Sequence, residues 1–129
     1  MAKVLIVEDN FLVAYQTAQF VEAFGHEVIG PCHTLESGLE ALDTKEIDAA
    51  VLDFELGDDT TSKEIIERLQ ESKTPFFVLT GCDKQKVSSL VGKVPLRFKP
   101  ISDACMEKSL ATIAPREKSQ YAGSSGKLN

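Results

Sequence analysis

The chain predicts an α/β fold built on a parallel sheet with crossover helices, because short apolar runs alternate with amphipathic stretches along its length. The runs themselves support this reading: they are β-branched and lack period-2 alternation, as expected of strands buried on both faces. Composition agrees, since 129 residues with 43% hydrophobic and 26% charged side chains suit one globular domain with a sizeable core.

The elements follow in order. Residues 3–7 (KVLIV) read as the first buried strand. Asp9 and Asn10 supply N-cap chemistry for a helix. Its Leu12, Val13, Ala18, Phe20, Val21 and Phe24 recur at roughly helical spacing and are expected to face the core, with Gly25 as the stop. Residues 26–30 form a short second strand. Thr34 caps the next helix, which carries Leu35, Leu39 and Leu42 inward. Residues 48–52 (DAAVL) make the third buried strand and end at Asp53. A polar, acidic loop spans residues 54–61, and a helix with Ile65, Ile66 and Leu69 on one face comes next. Pro75 precedes a fourth strand at residues 76–79, residues 96–98 form a short fifth, and a last helix runs over residues 102–113.

Residues 83–91, between the fourth and fifth strands, offer only Val87, Leu90 and Val91 as apolar anchors before Gly92 and Pro95. Any helix there is shorter than the ~12 residues at which an isolated helix is marginal, so this segment is expected to be mobile. Residues 1–114 are read as the domain and residues 115–129, polar and Gly/Ser-rich, as a flexible tail.

A formal charge of −6 argues against a nucleic-acid surface, which needs clustered Lys and Arg. Cys32, Cys82 and Cys105 are odd in number and form no C-x-x-C pair, so they read as reduced thiols. No apolar run approaches the ~18 residues needed to cross a bilayer, and no secretion signal is evident. The expectation is a cytoplasmic protein with no nucleic-acid and no membrane partner.

Open parallel sheets gather ligands at the carboxyl ends of their strands. Glu8 and Asp9 follow strand one, Asp53 ends strand three, Thr80 follows strand four and Lys99 follows strand five. Three carboxylates in one crevice repel by about 4 kcal/mol per pair at ~4 Å and an effective dielectric near 20. A hard divalent cation relieves that repulsion, and Mg²⁺ prefers oxygen ligands. A carboxylate attacking phosphorus yields an acyl phosphate, with Lys99 and Thr80 offering a charge and a hydroxyl to the phosphoryl group. His26 and His33 lie outside this cluster and read as surface or strand-edge residues.

VLIVEDN, VLDFEL, VLTG and FKP, in this order and spacing, resemble the receiver domains of two-component response regulators over about residues 3–113. The resemblance implies a flavodoxin-like doubly wound sheet of order 2-1-3-4-5. It implies Asp53 as phosphoacceptor, Asp9 as a direct Mg²⁺ ligand and Glu8 acting mainly through metal-bound water. The backbone carbonyl of Glu55 would complete the protein ligands, Thr80 would be the switch hydroxyl, Lys99 the phosphate-pairing lysine, and the Lys99–Pro100 bond cis. The implied partners are a sensor histidine kinase or a histidine phosphotransfer protein, and a downstream protein. A phosphorylation-dependent dimer through the fourth and fifth strands, common in the family, is left open.

The chain departs from the pattern in places. Leu96 stands where receivers carry an aromatic, and the loop FELGDDTTS lacks the usual Met-Pro and Asp-Gly steps. PFFVLTG is similar to the Pro-Phe-rich fourth strand of a variant group of single-domain receivers with a shortened fourth helix, although Cys82 and Asp83 stand where that group has an aromatic. Phosphorylation is expected to order residues 80–94, and Glu55 to influence phosphoryl lifetime.

Two rivals remain at this point. One is an Mg²⁺-dependent hydrolase with an aspartyl-phosphate intermediate, since Glu55 sits two residues after Asp53; the chain has no room for the cap such enzymes need. The other is a pseudo-receiver, against which the complete acidic, Thr and Lys set argues. The expected activity is therefore not that of an enzyme beyond self-phosphorylation and autodephosphorylation.

Overall fold

A computed structural model describes residues 1–81 and 83–117. Five strands and five helices alternate: β1 (Lys3–Val7), α1 (Phe11–Ala23), β2 (Glu27–Cys32), α2 (Leu35–Thr44), β3 (Ala49–Asp53), α3 (Lys63–Glu71), β4 (Phe76–Thr80), α4 (Lys84–Val91), β5 (Leu96–Phe98) and α5 (Asp103–Ile113). The strands form one sheet of order β2-β1-β3-β4-β5, and every pairing is parallel. The sequence pattern predicts a parallel sheet with crossover helices, and the flavodoxin-like, doubly wound order is the one the resemblance implies.

Burial explains the strand chemistry. All five residues of β3 and of β4 are buried, as are Val4 to Val7 of β1, so both sheet faces are covered and apolar runs replace alternation. The edge strands β2 and β5 are half-exposed. One face packs Leu5, Val7, Leu52 and Val78 against Ile65, Ile66 and Leu69 of α3 and Val87 of α4. The other packs Val4, Ile6, Val51, Phe77 and Leu79 against Val21 of α1 and Met106, Leu110 and Ile113 of α5. At roughly 1.5–3 kcal/mol per fully buried large aliphatic side chain, these two layers supply the main driving force.

Four helices carry a side-chain N-cap, whereas Ser62 before α3 makes no such bond. Asn10 accepts the Val13 N–H at 3.0 Å, Thr34 forms a reciprocal box with Ser37, and Ser102 accepts the Cys105 N–H. Gly25, at φ +88°, follows α1 in the left-handed region that favours glycine. Lys99–Pro100 is cis, as the family resemblance implies.

Four details differ from the sequence reading. The second strand runs on to Cys32 rather than stopping at Gly30, because Gly30 (φ +98°) bulges the ladder: Leu5 pairs with Ile29, yet Val7 pairs with Cys32. Leu12 does not face the core. Ala14, Thr17 and Val21 do, and Leu12 joins Phe11 and Tyr15 on the solvent side. The fourth helix is short, as expected, but Val87 is its only buried residue and Leu90 is exposed.

Finally, His26 is buried rather than at the surface. Its Nδ1 accepts the Ala2 N–H at 3.0 Å, and its Nε2 bonds the carbonyls of Ala114 and Pro115. That bridge holds residues 114–117 beside the start of the chain, where the Glu117 carboxylate meets the Met1 amine at 2.6 Å and the Glu117 N–H donates to the Phe24 carbonyl. The remainder of the predicted tail, residues 118–129, lies outside the described residues.

Candidate phosphoryl-acceptor site

The strand order reverses between β1 and β3, since β1 connects outward to β2 on one side and the chain then returns to β3 on the other. At such a switch point the loops diverge and open a crevice at the carboxyl ends of the strands. Glu8 and Asp9 leave β1 into this crevice, and Asp53 is the last residue of β3. Carboxylate oxygens of Glu8, Asp9 and Asp53 lie within 4.8 Å of one another. Glu8 and Asp53 are almost wholly buried and Asp9 is exposed, so the cluster is a deep acidic floor with one acidic lip.

Two of the three remaining predicted residues arrive from β4 and β5. Lys99 follows β5 and reaches Glu8 Oε1 at 2.9 Å, Glu8 Oε2 at 3.2 Å and Asp53 Oδ1 at 3.4 Å. Thr80, fully buried at the end of β4, accepts the Lys99 backbone N–H on its carbonyl at 2.9 Å, which keys the two residues to each other. The Glu55 N–H donates to Asp53 Oδ1 at 3.3 Å, so the loop backbone turns back over Asp53. The Glu55 carboxylate points elsewhere and pairs with Lys86 of α4 at 3.4 Å. All six sequence-predicted residues thus converge on one edge. Cys82 lies outside the described residues.

Electrostatics shows the strain that a cation would relieve. Burial, followed by hydrogen bonding to Asp9 and Glu8 and the charge of Glu8, pushes the Asp53 carboxyl up to about 9, against the opposing pull of Lys99. The cation-free pocket therefore favours the protonated form of Asp53. Burial works to raise Asp9 as well, but hydrogen bonds with Asp53 and Glu8 and the Lys99 charge outweigh it and leave Asp9 below the ordinary carboxylate range. For Lys99, burial lowers the value, and the Glu8 and Asp53 carboxylates more than reverse that. An all-oxygen donor set, held close and bearing excess negative charge, fits a hard divalent ion such as Mg²⁺.

Sequence reasoning missed one contributor. His33 is half-buried, and its Nδ1 sits 2.9 Å from the backbone carbonyl of Glu8. The signal was the Gly30-Pro31 pair just before it, which marks a bend at a strand end.

No family model and no curated protein matches the chain. Solved structures do. A CheY-like response regulator receiver domain protein from Methanospirillum hungatei JF-1 superposes with a TM-score of 0.74 at 21% identity, over 87% of this chain and 92% of that one. SdrG from Pseudomonas melonis Fr1, solved in a BeF3-activated conformation, is 31% identical over 84% of this chain and 92% of its own, with a TM-score of 0.70. The chain belongs to the response-regulator receiver domains. The receiver also matches the response regulator PhyR from Brucella abortus, at 24% identity and a TM-score of 0.71, over 98% of this chain and 51% of PhyR. Among the described residues, no helix of the receiver is long and apolar enough to cross a membrane.

Proposed function

We propose that this receiver is a phosphoacceptor in which Asp53 takes a phosphoryl group from a phosphohistidine on a sensor kinase or phosphotransfer protein. The observation that carries the reading is the convergence of three carboxylates within 4.8 Å, with the Lys99 ammonium bridging two of them. Nothing in a merely structural turn calls for that concentration of buried charge.

Glu8, Asp9, Asp53 and the backbone carbonyl of Glu55 would hold Mg²⁺, which when bound neutralises the carboxylates and the charge developing on the transferred group. An Asp53 carboxylate oxygen attacks phosphorus as the bond from phosphorus to the donor imidazole nitrogen breaks. The electron pair stays on that nitrogen, and the other ring nitrogen takes a proton from water, so that neutral imidazole leaves. Lys99 already lies 3.4 Å from Asp53 Oδ1, so a modest swing brings its charge onto a phosphoryl oxygen. That swing removes it from Glu8, and the Thr80 hydroxyl completes the phosphoryl hydrogen bonds. Relocation of Lys99 and Thr80 then changes the surface around α4 and β5, which alters protein contacts; alternatively the phosphoryl group is simply held and lost, as in a phosphate sink.

Mass spectrometry after treatment with acetyl phosphate and Mg²⁺ tests this. One added phosphoryl group is expected on the native chain and none on Asp53→Asn; equal labelling of both removes Asp53 from its role. The receiver is also proposed to turn over no substrate beyond its own phosphoryl group. Sustained release of phosphate from a phosphomonoester would favour the hydrolase instead. The Glu55 carboxylate pairs with Lys86 of α4.

A further inference from the structure

The β1–α1 loop carries two of the three carboxylates, and its backbone is tied down from outside. The Glu8 N–H donates to the Cys32 carbonyl at 2.8 Å. The Glu8 carbonyl faces His33 Nδ1 at 2.9 Å. Because a carbonyl only accepts, Nδ1 must carry a proton, which assigns the ring's donor side without appeal to its titration. One residue further on, the Asn10 N–H donates back to Glu8 Oε2 at 3.1 Å. The peptide joining Glu8 to Asp9 therefore cannot rotate without breaking the His33 bond.

The geometry that delivers His33 is built into β2. Gly30 at φ +98° sits where a Cβ would fall 2.6 Å from the Cys32 backbone nitrogen, so only glycine fits, and the resulting bulge re-aims the following residues over the end of β1. The imidazole is then covered by Phe11, whose ring meets it edge-on with centroids 4.1 Å apart. Phe11 is largely exposed and adds nothing to the core. Its ring contact is instead with His33.

We propose that His33, covered by Phe11, is a positioning residue that holds the Glu8–Asp9 loop in the shape a divalent cation requires. The inference rests on the phosphoacceptor reading of the same site. Groups behind a metal's ligands typically change affinity 10- to 100-fold when removed.

Calorimetric titration of the full chain with Mg²⁺ alone provides the test. His33→Ala should bind Mg²⁺ about 10-fold more weakly, and His33→Asn, which keeps an N–H donor near the Nδ1 position, should recover most of the loss. Affinity within twofold of the native chain in a folded His33→Ala overturns the proposal, as does equal weakening in Ala and Asn. A second measurement needs no variant: ring-nitrogen NMR of the Mg²⁺-free native chain should show the Nδ1–H tautomer, and the Nε2–H tautomer would overturn the brace. If the native chain itself neither binds Mg²⁺ nor accepts a phosphoryl group, the phosphoacceptor reading fails rather than the role of His33.

Discussion

Asp53→Asn should make the Mg²⁺-free receiver more stable, even though it removes the residue that carries the chemistry. In the folded chain burial and the neighbouring carboxylates push Asp53 up to about 9, against 3.8 for a free aspartate. Between those values the folded state holds a proton that the unfolded state has released. Stability therefore falls as pH rises from about 4 to about 9, because the unfolded chain binds fewer protons over that window. At about 1.4 kcal/mol per pH unit, the penalty reaches about 4 kcal/mol at pH 7. The depressed Asp9 returns part of it, since its carboxylate is favoured by the fold above the free-aspartate value. Asparagine needs no ionisation and can donate its amide N–H to Asp9 as protonated Asp53 does. The expected gain is about 2–4 kcal/mol at pH 7 in EDTA, shrinking to nothing near pH 4. Urea denaturation of both chains at pH 4, 7 and 8.5 measures it. Mg²⁺ at ten times its dissociation constant should restore about 1.4 kcal/mol to the native chain and less to Asp53→Asn. A variant less stable than the native chain at pH 7, or a difference indifferent to pH, would refute the reasoning.

Other outcomes follow from the same geometry. Lys99→Met should slow phosphorylation by acetyl phosphate at saturating Mg²⁺ about 100-fold, the scale of losing one charged donor at a reacting centre, as read by mass-spectrometric time courses. Gly30→Ala should destabilise the fold by about 2 kcal/mol or more, because a Cβ there collides with backbone at a positive φ; chemical denaturation measures this. Beryllofluoride with Mg²⁺ should slow amide exchange across residues 80–94, since Val87 is the only fully buried residue of α4, which leaves that helix the most order to gain. Breaking the exposed Glu55–Lys86 pair with Lys86→Ala should change stability by less than about 0.5 kcal/mol in a double-mutant cycle with Glu55→Ala.

Particular residues show where the sequence was readable. KVLIV, AAVL and FFVL announce buried strands because a parallel sheet covers both faces, so each position answers to the same apolar demand and no neighbour need be known. Glu8, Asp9, Asp53, Thr80 and Lys99 stand out for the converse reason: a charged or hydroxyl group at the end of an apolar run is costly unless something binds there. Asn10, Thr34 and Ser102 cap their helices through bonds only three residues long, which local sequence contains in full.

Other features needed the assembled fold. Leu12 matches a helical repeat, yet whether it faces sheet or water depends on how α1 is rotated against β1 and α5, which Ala14, Thr17 and Val21 decide together. His26 is buried only because residues 114–117 return to meet it from the far end of the chain. His33 touches Glu8 only because a bulge shifts the ladder between β1 and β2. The sequence by itself determined the order of elements and the residue types at their ends, since both are written within a few residues. Tertiary structure alone decided that His33 meets Glu8 and that His26 is buried against Pro115, because these contacts join residues 25 and 89 positions apart, and their energies depend on packing that no local pattern records.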